Sequence, residues 1–199
     1  MKYKLTEETI TIDGVILHRI ECVESFSTVR AGDKGGYVES ERNLSQYGEA
    51  WVFGLAKVYG NAKVFGKAKV YGNAKVYGEA EVCGETEVFG LAEVYGNAEV
   101  YGKAKVCGKA KVCGKAEVYG NAEVYGNAEV CGNEDYIVFK NNWSSDRFFT
   151  WTKSNDMWRV GCFYGTGDEL IKKAYADSEN SGKHYEAYVK FVEQLKQLS

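Results

Sequence analysis

The feature that most constrains this chain is a six-residue repeat that runs from residue 48 to residue 132. Gly occupies every sixth position from Gly48 to Gly132, and Val occupies all fourteen matching positions from Val52 to Val130. The residue two before each Val is Ala thirteen times and Thr86 once. A period of six would scatter the valines around an α-helix, so the repeat excludes a helix over this stretch.

Each hexad predicts a short strand followed by a corner. Ala and Val are two residues apart, which places both side chains on one face of the strand. Gly forms the corner, and Asn follows it at residues 61, 73, 97, 121 and 127, where it tolerates a left-handed conformation. Three strands and three corners then make one triangular coil of 18 residues.

The outward positions support the 18-residue coil independently. One column contains Lys69, Glu87, Lys105 and Glu123, and another contains Lys75, Glu93, Lys111 and Glu129. Signs alternate along both columns, as neighbouring strands prefer. The third column is mostly acidic and contains Lys63, Glu81, Glu99 and Glu117. This uneven face is either an interface or a solvated surface. The residue after each Val is aromatic in ten of fourteen hexads, which suggests a packed interface, the alternative being rings that cover the strands.

The flanking segments are not repetitive and are predicted to cap the open ends of the coils. At the N-terminus, Asp13-Gly14 between alternating residues predicts a β-hairpin. At the C-terminus, three strand-like segments precede Thr166 and Glu169, a capping box that opens a helix to about residue 176. A second helix is predicted near residues 183–198. The domain assignment is an N-terminal cap with a degenerate first coil (1–47), the coils (48–133) and a C-terminal α+β cap (134–199).

The hexads resemble those of hexapeptide-repeat proteins, in which an aliphatic residue is followed four positions later by a small one, as in Val58 to Ala62. This resemblance implies a mainly β fold, a left-handed parallel β-helix. With the flanks "AGDKGGYVES" and "WRVGCFYGT" included, nearly the whole chain looks like proteins of this type common in bacteriophage and prophage genomes. Such proteins often assemble as trimers, so the resemblance implies a homotrimer.

The six cysteines, at residues 22, 83, 107, 113, 131 and 162, show neither a C-x-x-C pair nor a nearby His. We therefore predict no metal site and reduced thiols. Cys113 and Cys131 are one coil apart, close enough to bridge by distance alone, although a reducing cytoplasm argues against the bond.

The composition argues against several functions. The formal charge of -3 does not favour a general nucleic-acid surface, and no apolar run is long enough to span a membrane. The expected location is the cytoplasm. Hexapeptide acyltransferases use a histidine base on a coil, whereas His18 and His184 lie outside the coils. The sequence therefore predicts neither enzymatic activity nor a cofactor. Among the functions considered, that of an acyltransferase is the least favoured.

The flanks carry the candidate ligand-binding residues. All five arginines and three of four tryptophans lie outside the regular hexads. Arginine forks and aromatic faces suit a phosphorylated planar ligand. The proposed set is Arg30, Arg42, Arg147, Trp151, Trp158 and Arg159. The alternative is that the tryptophans form the core of the cap and the arginines pair with nearby acids.

Two functional hypotheses of different classes follow. The first is a phage anti-defence sponge that sequesters a host nucleotide-derived signalling molecule. The second is a structural or protein-binding module that presents its charged and aromatic faces to a partner such as a host defence protein.

Overall fold

In the computed structural model, which describes residues 1–198, the hexads form fourteen strands of two residues each. Ser199, the last residue of the predicted C-terminal cap, lies outside the described part. The strands are β4 Trp51–Val52, β5 Lys57–Val58, β6 Lys63–Val64, β7 Lys69–Val70, β8 Lys75–Val76, β9 Glu81–Val82, β10 Glu87–Val88, β11 Glu93–Val94, β12 Glu99–Val100, β13 Lys105–Val106, β14 Lys111–Val112, β15 Glu117–Val118, β16 Glu123–Val124 and β17 Glu129–Val130.

Every third strand pairs in parallel, which confirms the predicted 18-residue coil. Val88 lies opposite both Val70 and Val106, one coil away on each side. The result is three sheets around one axis, β5-β8-β11-β14-β17, β4-β7-β10-β13-β16 and β6-β9-β12-β15. The fold is the predicted left-handed parallel β-helix with caps.

The interior of the coils contains only the repeated Ala and Val positions and one exception. From Val70 to Val130 every Val side chain is completely buried, and so is each Ala that precedes it. Thr86 occupies one of the Ala positions, and its buried hydroxyl has no hydrogen-bond partner within residues 1–198. So narrow an interior leaves no space for a ligand, and any binding site must be on the outer faces or at the ends.

The corner glycines are required by both conformation and space. Gly108 has a φ of 76°, and a Cβ built on it would lie 3.0 Å from the backbone nitrogen and oxygen of Gly126 in the next coil. A side chain there would be strained and would also push adjacent coils apart. The positive φ holds at every corner from Gly48 to Gly126 and explains the unbroken glycine period, whereas no atom lies within 4 Å of such a Cβ at Gly120.

The N-terminal cap contains the predicted hairpin and continues into a partial coil. Strands β1 (Tyr3–Ile12) and β2 (Val15–Cys22) are antiparallel, and β2 pairs with β3 (Lys34–Val38). Asp13 and Gly14 both have positive φ, as the turn requires. Strand β3 then pairs in parallel with β5, and Leu44 bridges to Val64. The degenerate stretch therefore forms part of a coil, as predicted.

Cap groups satisfy the alanine carbonyls at the first coil, one on each of the three sides. Lys2 Nζ donates to Ala50 O at 2.9 Å, and Tyr37 N donates to Ala56 O at 2.9 Å. On the third side, Asn43 Nδ2 donates to Ala62 O at 2.9 Å. Burial lowers the pKa of the Lys2 ammonium to about 8. The three parallel sheets therefore do not present open carbonyl edges at this end.

The C-terminal cap is a four-stranded antiparallel sheet covered by two helices. Its strands, in sheet order, are β18 Tyr136–Asn141, β19 Arg147–Thr152, β20 Met157–Val160 and β21 Phe163–Gly165, and the helices are α1 Gly167–Asp177 and α2 Glu179–Lys196. Thr166 and Glu169 form the predicted capping box. Helix α2 begins four residues before the predicted position, because Ser178 Oγ caps it by accepting from Ser181 N.

At this end, cap side chains accept from the last strand of each sheet. Asn133 Oδ1 accepts from Glu117 N at 2.8 Å, and Thr150 Oγ1 accepts from Glu123 N at 2.9 Å. On the third sheet, Ser154 Oγ accepts from Glu129 N at 2.7 Å. In the coils these amides would donate to the next alanine carbonyl. On each sheet a cap oxygen thus takes the place of the alanine carbonyl that a further coil would supply.

One cysteine prediction is wrong in the structure. Cys113 and Cys131 stack one coil apart, as expected, but they form a disulfide rather than two reduced thiols. The parallel pairing brings their Cα atoms to 4.4 Å, within the range in which a disulfide can close. The other four cysteines are free.

Candidate functional site

The coils present three outer faces, each with a charged column and an aromatic column. Face 1 lies on the sheet β5-β8-β11-β14-β17 and carries Lys57, Lys75, Glu93, Lys111, Glu129, Tyr59, Tyr77, Tyr95, Cys113 and Cys131. Face 2 lies on β4-β7-β10-β13-β16 and carries Trp51, Lys69, Glu87, Lys105, Glu123, Phe53, Tyr71, Phe89, Cys107 and Tyr125. Face 3 lies on β6-β9-β12-β15 and carries Lys63, Glu81, Glu99, Glu117, Phe65, Cys83, Tyr101 and Tyr119.

On face 1 the charges pair between adjacent coils. Lys75 Nζ lies 3.1 Å from Glu93 Oε1, and Lys111 Nζ lies 3.0 Å from Glu129 Oε1. The neighbouring carboxylate raises the pKa of both lysines. From Lys75 onward, each charged residue of this column is adjacent to residues of the opposite sign.

Face 3 lacks this alternation. Glu99 is directly opposite Glu81 in one neighbouring coil and Glu117 in the other. Like charges placed opposite each other on paired strands are destabilising. Among residues 1–198, the first glutamate of this column alone has an ion pair, in which Lys63 Nζ lies 2.8 Å from Glu81 Oε1. Glu99 is exposed at the centre of the column.

The difference between faces 1 and 3 arises from where the blocks of lysine and of glutamate in the sequence fall relative to the 18-residue coil. The lysine block of residues 103–115 contains no glutamate, and it separates a glutamate block from the one that follows. It covers less than one coil. Its strand positions, Lys105 and Lys111, fall on faces 2 and 1, whereas the face 3 positions on either side of it are Glu99 and Glu117.

Aromatic rings lie beside the charged columns. On face 1, Tyr77 stacks on Tyr59 and Tyr95 with ring centroids 5.1 and 5.0 Å apart. On face 3, the centroids of Tyr101 and Tyr119 are 5.3 Å apart, and Tyr101 OH donates to Glu117 Oε2 at 3.0 Å. Tyr119 is 51% exposed at the end of its column. Face 3 therefore combines uncompensated carboxylates with an open aromatic surface.

At its C-terminal end face 3 leads into a cavity of about 380 Å³ between the last coil and the cap. Two rings, Tyr119 and Phe148, and two amides, Asn121 and Asn133, are among its lining residues. Tyr136 also lines it and fixes the cap to the coil, since its hydroxyl donates to Glu117 O at 2.9 Å. The cavity offers ring faces and amide hydrogen-bonding groups.

The structure does not bring the six sequence-predicted residues into one site. Arg30 and Arg42 lie in the N-terminal part, and the other four lie in the cap at the opposite end of the coils. Arg30, Arg42 and Arg147 are exposed, and their role in binding stays a prediction.

The other three predicted residues have structural contacts. Trp158 is 1% exposed in the cap core, and Trp151 is buried with its Nε1 donating to Asp156 Oδ1 at 2.8 Å. Arg159 Nε lies 2.8 Å from Glu123 Oε2, and its guanidinium lies over the Tyr125 ring. These contacts match the alternative reading, in which tryptophans form the cap core and an arginine pairs with an acid.

Tyr119, Phe148 and the two amides, Asn121 and Asn133, were not predicted as a group from the sequence. Tyr119 belongs to a regular column and Phe148 to a cap strand, so only the docking of the cap brings them together. The one signal available beforehand was the acidic column itself.

No protein-family model matches the chain, and no curated protein matches it in sequence. The resemblance to phage hexapeptide-repeat proteins therefore stays a prediction. Within residues 1–198, no cluster of three or more His, Cys, Asp or Glu side chains is arranged to hold a metal ion. In the same residues no helix is long and apolar enough to cross a membrane.

Proposed function

We propose that this protein is a non-enzymatic binding module that recognises a basic segment of a protein partner through face 3. The observation that carries the proposal is the column of Glu81, Glu99 and Glu117, in which like charges are stacked. Charges alternate instead from Lys75 onward on face 1 and from Lys69 onward on face 2. A cationic partner would remove the repulsion that this column creates.

The aromatic column adds a second recognition element. Arg or Lys side chains bind both carboxylates and the faces of aromatic rings, and here the exposed ring of Tyr119 adjoins the stacked ring of Tyr101. Glu81 and Glu117 are two coils apart, roughly 10 Å at the usual strand spacing. About three residues of an extended chain span that distance, so cations three residues apart fit the column.

Neither histidine supports catalysis on the coils. His18 Nδ1 lies 3.2 Å from Thr6 O in the N-terminal hairpin, and His184 is half-buried on helix α2 at the other end. Within residues 1–198, face 3 contains no nucleophilic side chain that is activated by a neighbouring base.

A host defence protein, the partner that the phage resemblance implies, is one source of the basic segment proposed to bind face 3.

The test is fluorescence anisotropy with a labelled peptide of four Arg-Gly-Gly repeats, compared with the matching Glu-Gly-Gly peptide. We expect the basic peptide to bind, to weaken at high salt, and to lose at least about tenfold in affinity with Glu99→Lys. The matched control is Glu93→Lys, the same substitution in the neighbouring hexad on face 1. Equal losses with both variants, or equal binding of both peptides, would contradict the proposal.

The cavity beside Tyr119 supports a second candidate, the sequestration of a nucleotide-derived signalling molecule. The rings of Tyr119 and Phe148 can stack on a planar base. The Asn121 amide and the Nδ2 group of Asn133 can bind the base edge, whereas Asn133 Oδ1 already accepts from Glu117 N. Native mass spectrometry with a panel of cyclic and ADP-ribose-derived nucleotides tests this. We expect a discrete added mass that Phe148→Ala removes and Arg30→Ala leaves unchanged. The absence of added mass with every nucleotide of the panel would count against this candidate and leave the peptide result unaffected.

A further inference from the structure

Strand β18 is an edge strand of the cap sheet with part of its backbone directed away from that sheet. Asp135 and Lys153 form a hydrogen-bonded pair, in which Lys153 N donates to Asp135 O at 2.8 Å. In an antiparallel ladder, hydrogen-bonded and non-hydrogen-bonded pairs alternate. The N–H and C=O groups of Tyr136 and Val138 and the N–H of Lys140 therefore point along the free edge, away from β19. Lys140 O points the same way and already accepts from Tyr188 OH at 3.3 Å, which leaves one of its two lone pairs for a further donor.

This edge is accessible along its first half. Ile137 and Val138 are consecutive residues of a strand, so their side chains point to opposite faces of the sheet. Both nevertheless line the 380 Å³ cavity, which shows that the open space passes over the strand edge. Ile137 also lines a second cavity of about 290 Å³ that extends towards helix α2.

The other long edge strand of the molecule is protected, whereas β18 is not. Strand β1 has an irregularity between Leu5 and Thr9, and Glu8 within it forms ion pairs with Arg19 and Lys34. Bulges and charges are the usual devices that prevent edge-to-edge pairing. In β18 the first four residues are Tyr, Ile, Val and Phe, and the single charge is Lys140.

The sequence of β18 is complementary to itself in one antiparallel register. When Val138 of one copy lies opposite Val138 of another, Tyr136 lies opposite Lys140, and Ile137 lies opposite Phe139. The three residues whose backbone groups point away from β19, Tyr136, Val138 and Lys140, are then all paired with one another across the two strands. A shift of two residues between the strands would lose one of these three pairs. The lysine of each strand faces a tyrosine ring rather than another lysine.

We propose that two copies of this protein associate through β18, pairing antiparallel about Val138 to join two four-stranded cap sheets into one continuous sheet. Each outward residue exchanges backbone hydrogen bonds with its counterpart. On the helix side, Ile137 of each copy covers Phe139 of the other, next to Phe191, which is 47% exposed. This interface borders the 380 Å³ cavity that Tyr119 of face 3 also lines.

The test uses Val138→Pro, with the mass of the native assembly measured by native mass spectrometry and light scattering over a range of concentrations. Proline removes the outward N–H at the centre of the pairing but no hydrogen bond to β19, so an edge position tolerates it. We expect dimers of the wild-type chain and at least a tenfold rise in the dissociation constant of the variant. Val138→Ala is the matched control, because it shortens the same side chain and keeps the N–H.

Amide hydrogen exchange of the wild-type chain tests the register without any substitution. We expect the amides of Tyr136, Val138 and Lys140 to become protected as concentration rises, while those of β1 do not change. A monomer at every concentration, or a trimer whose β18 amides exchange independently of concentration, would overturn the proposal. The trimer result would support the oligomer predicted from the sequence instead.

Discussion

Faces 1 and 3 are built from the same hexad and have the same interior, yet their exteriors follow different rules. Val94 behind face 1 and Val100 behind face 3 are both completely buried. Outside, Glu93 lies between two lysines, whereas Glu99 lies between two glutamates. The comparison shows that the repeat determines the interior and leaves the outer positions free. Differences between the faces are therefore the best indication of function in a chain of this type.

The largest expected effect concerns the disulfide, which face 1 has and face 3 lacks. Cys113 and Cys131 are 18 residues apart. Closing a loop of this length is worth about 3 kcal/mol through the entropy of the unfolded chain. We expect Cys131→Ser to lower the free energy of unfolding by about that amount in urea. Cys83→Ser, at a free cysteine of face 3, is the control, and an equal loss there would show that the loop is not responsible.

The next effect is the cost of making face 1 resemble face 3. Glu93→Lys removes the ion pair with Lys75 and stacks four lysines, from Lys57 to Lys111, in consecutive coils. We expect a destabilisation of about 1 kcal/mol at low salt, and a smaller one at high salt. Urea unfolding at two salt concentrations measures both values. A salt-independent loss would indicate a packing defect instead.

The converse change should make face 3 resemble face 1. Glu99→Lys places a cation between Glu81 and Glu117 and restores alternation. We expect a gain of about 0.5 kcal/mol in the free energy of unfolding, together with the loss of basic-peptide binding described above. A variant that loses stability would show that the acidic column is not a source of repulsion.

The smallest effect is a change in the response of face 1 to alkaline pH. Burial, followed by the charge of Glu93, raises the pKa of Tyr77 above its ordinary value of about 10. A group with a raised pKa in the folded state stabilises the protein below its unfolded pKa, and this contribution is lost as the pH rises. We expect the melting temperature to fall above pH 10 or so, and to fall less steeply in Tyr77→Phe.

Thermal unfolding monitored by circular dichroism at several pH values measures how steeply the melting temperature falls with pH. Tyr47→Phe, at an 86% exposed ring outside the stacked columns, provides the control. Parallel curves for Tyr77→Phe and the wild type would contradict the assignment.

The sequence predicts the coils well because each hexad repeats one local solution many times. The Gly and Val periods gave the strand positions, the 18-residue register and the stacking of Cys113 on Cys131. Thr166 with Glu169 gave the start of α1, whereas Ser178 was missed as the start of α2. The roles of the cap residues were harder to predict from the sequence. Tryptophan and arginine occur both in ligand-binding sites and in packed cores, and the sequence does not distinguish the two cases. The burial of Trp158 and the pairing of Arg159 with Glu123 depend on packing that has no local signature.

Cap groups bond to the exposed backbone at both ends of the coils, and the three oxygens of Asn133, Thr150 and Ser154 accept from one amide of each sheet at the last coil. These cap groups bind the backbone of a coil, whatever the position of that coil in the series. Nothing in the coils therefore determines how many coils the molecule has. Inserting 18 residues would lengthen the molecule by one strand spacing, roughly 4.8 Å, and leave the orientation of the caps unchanged. Inserting six would instead turn one cap by a third of a revolution relative to the other. The molecule is thus a spacer in which the distance between the two caps and the rotation of one cap relative to the other can be varied separately.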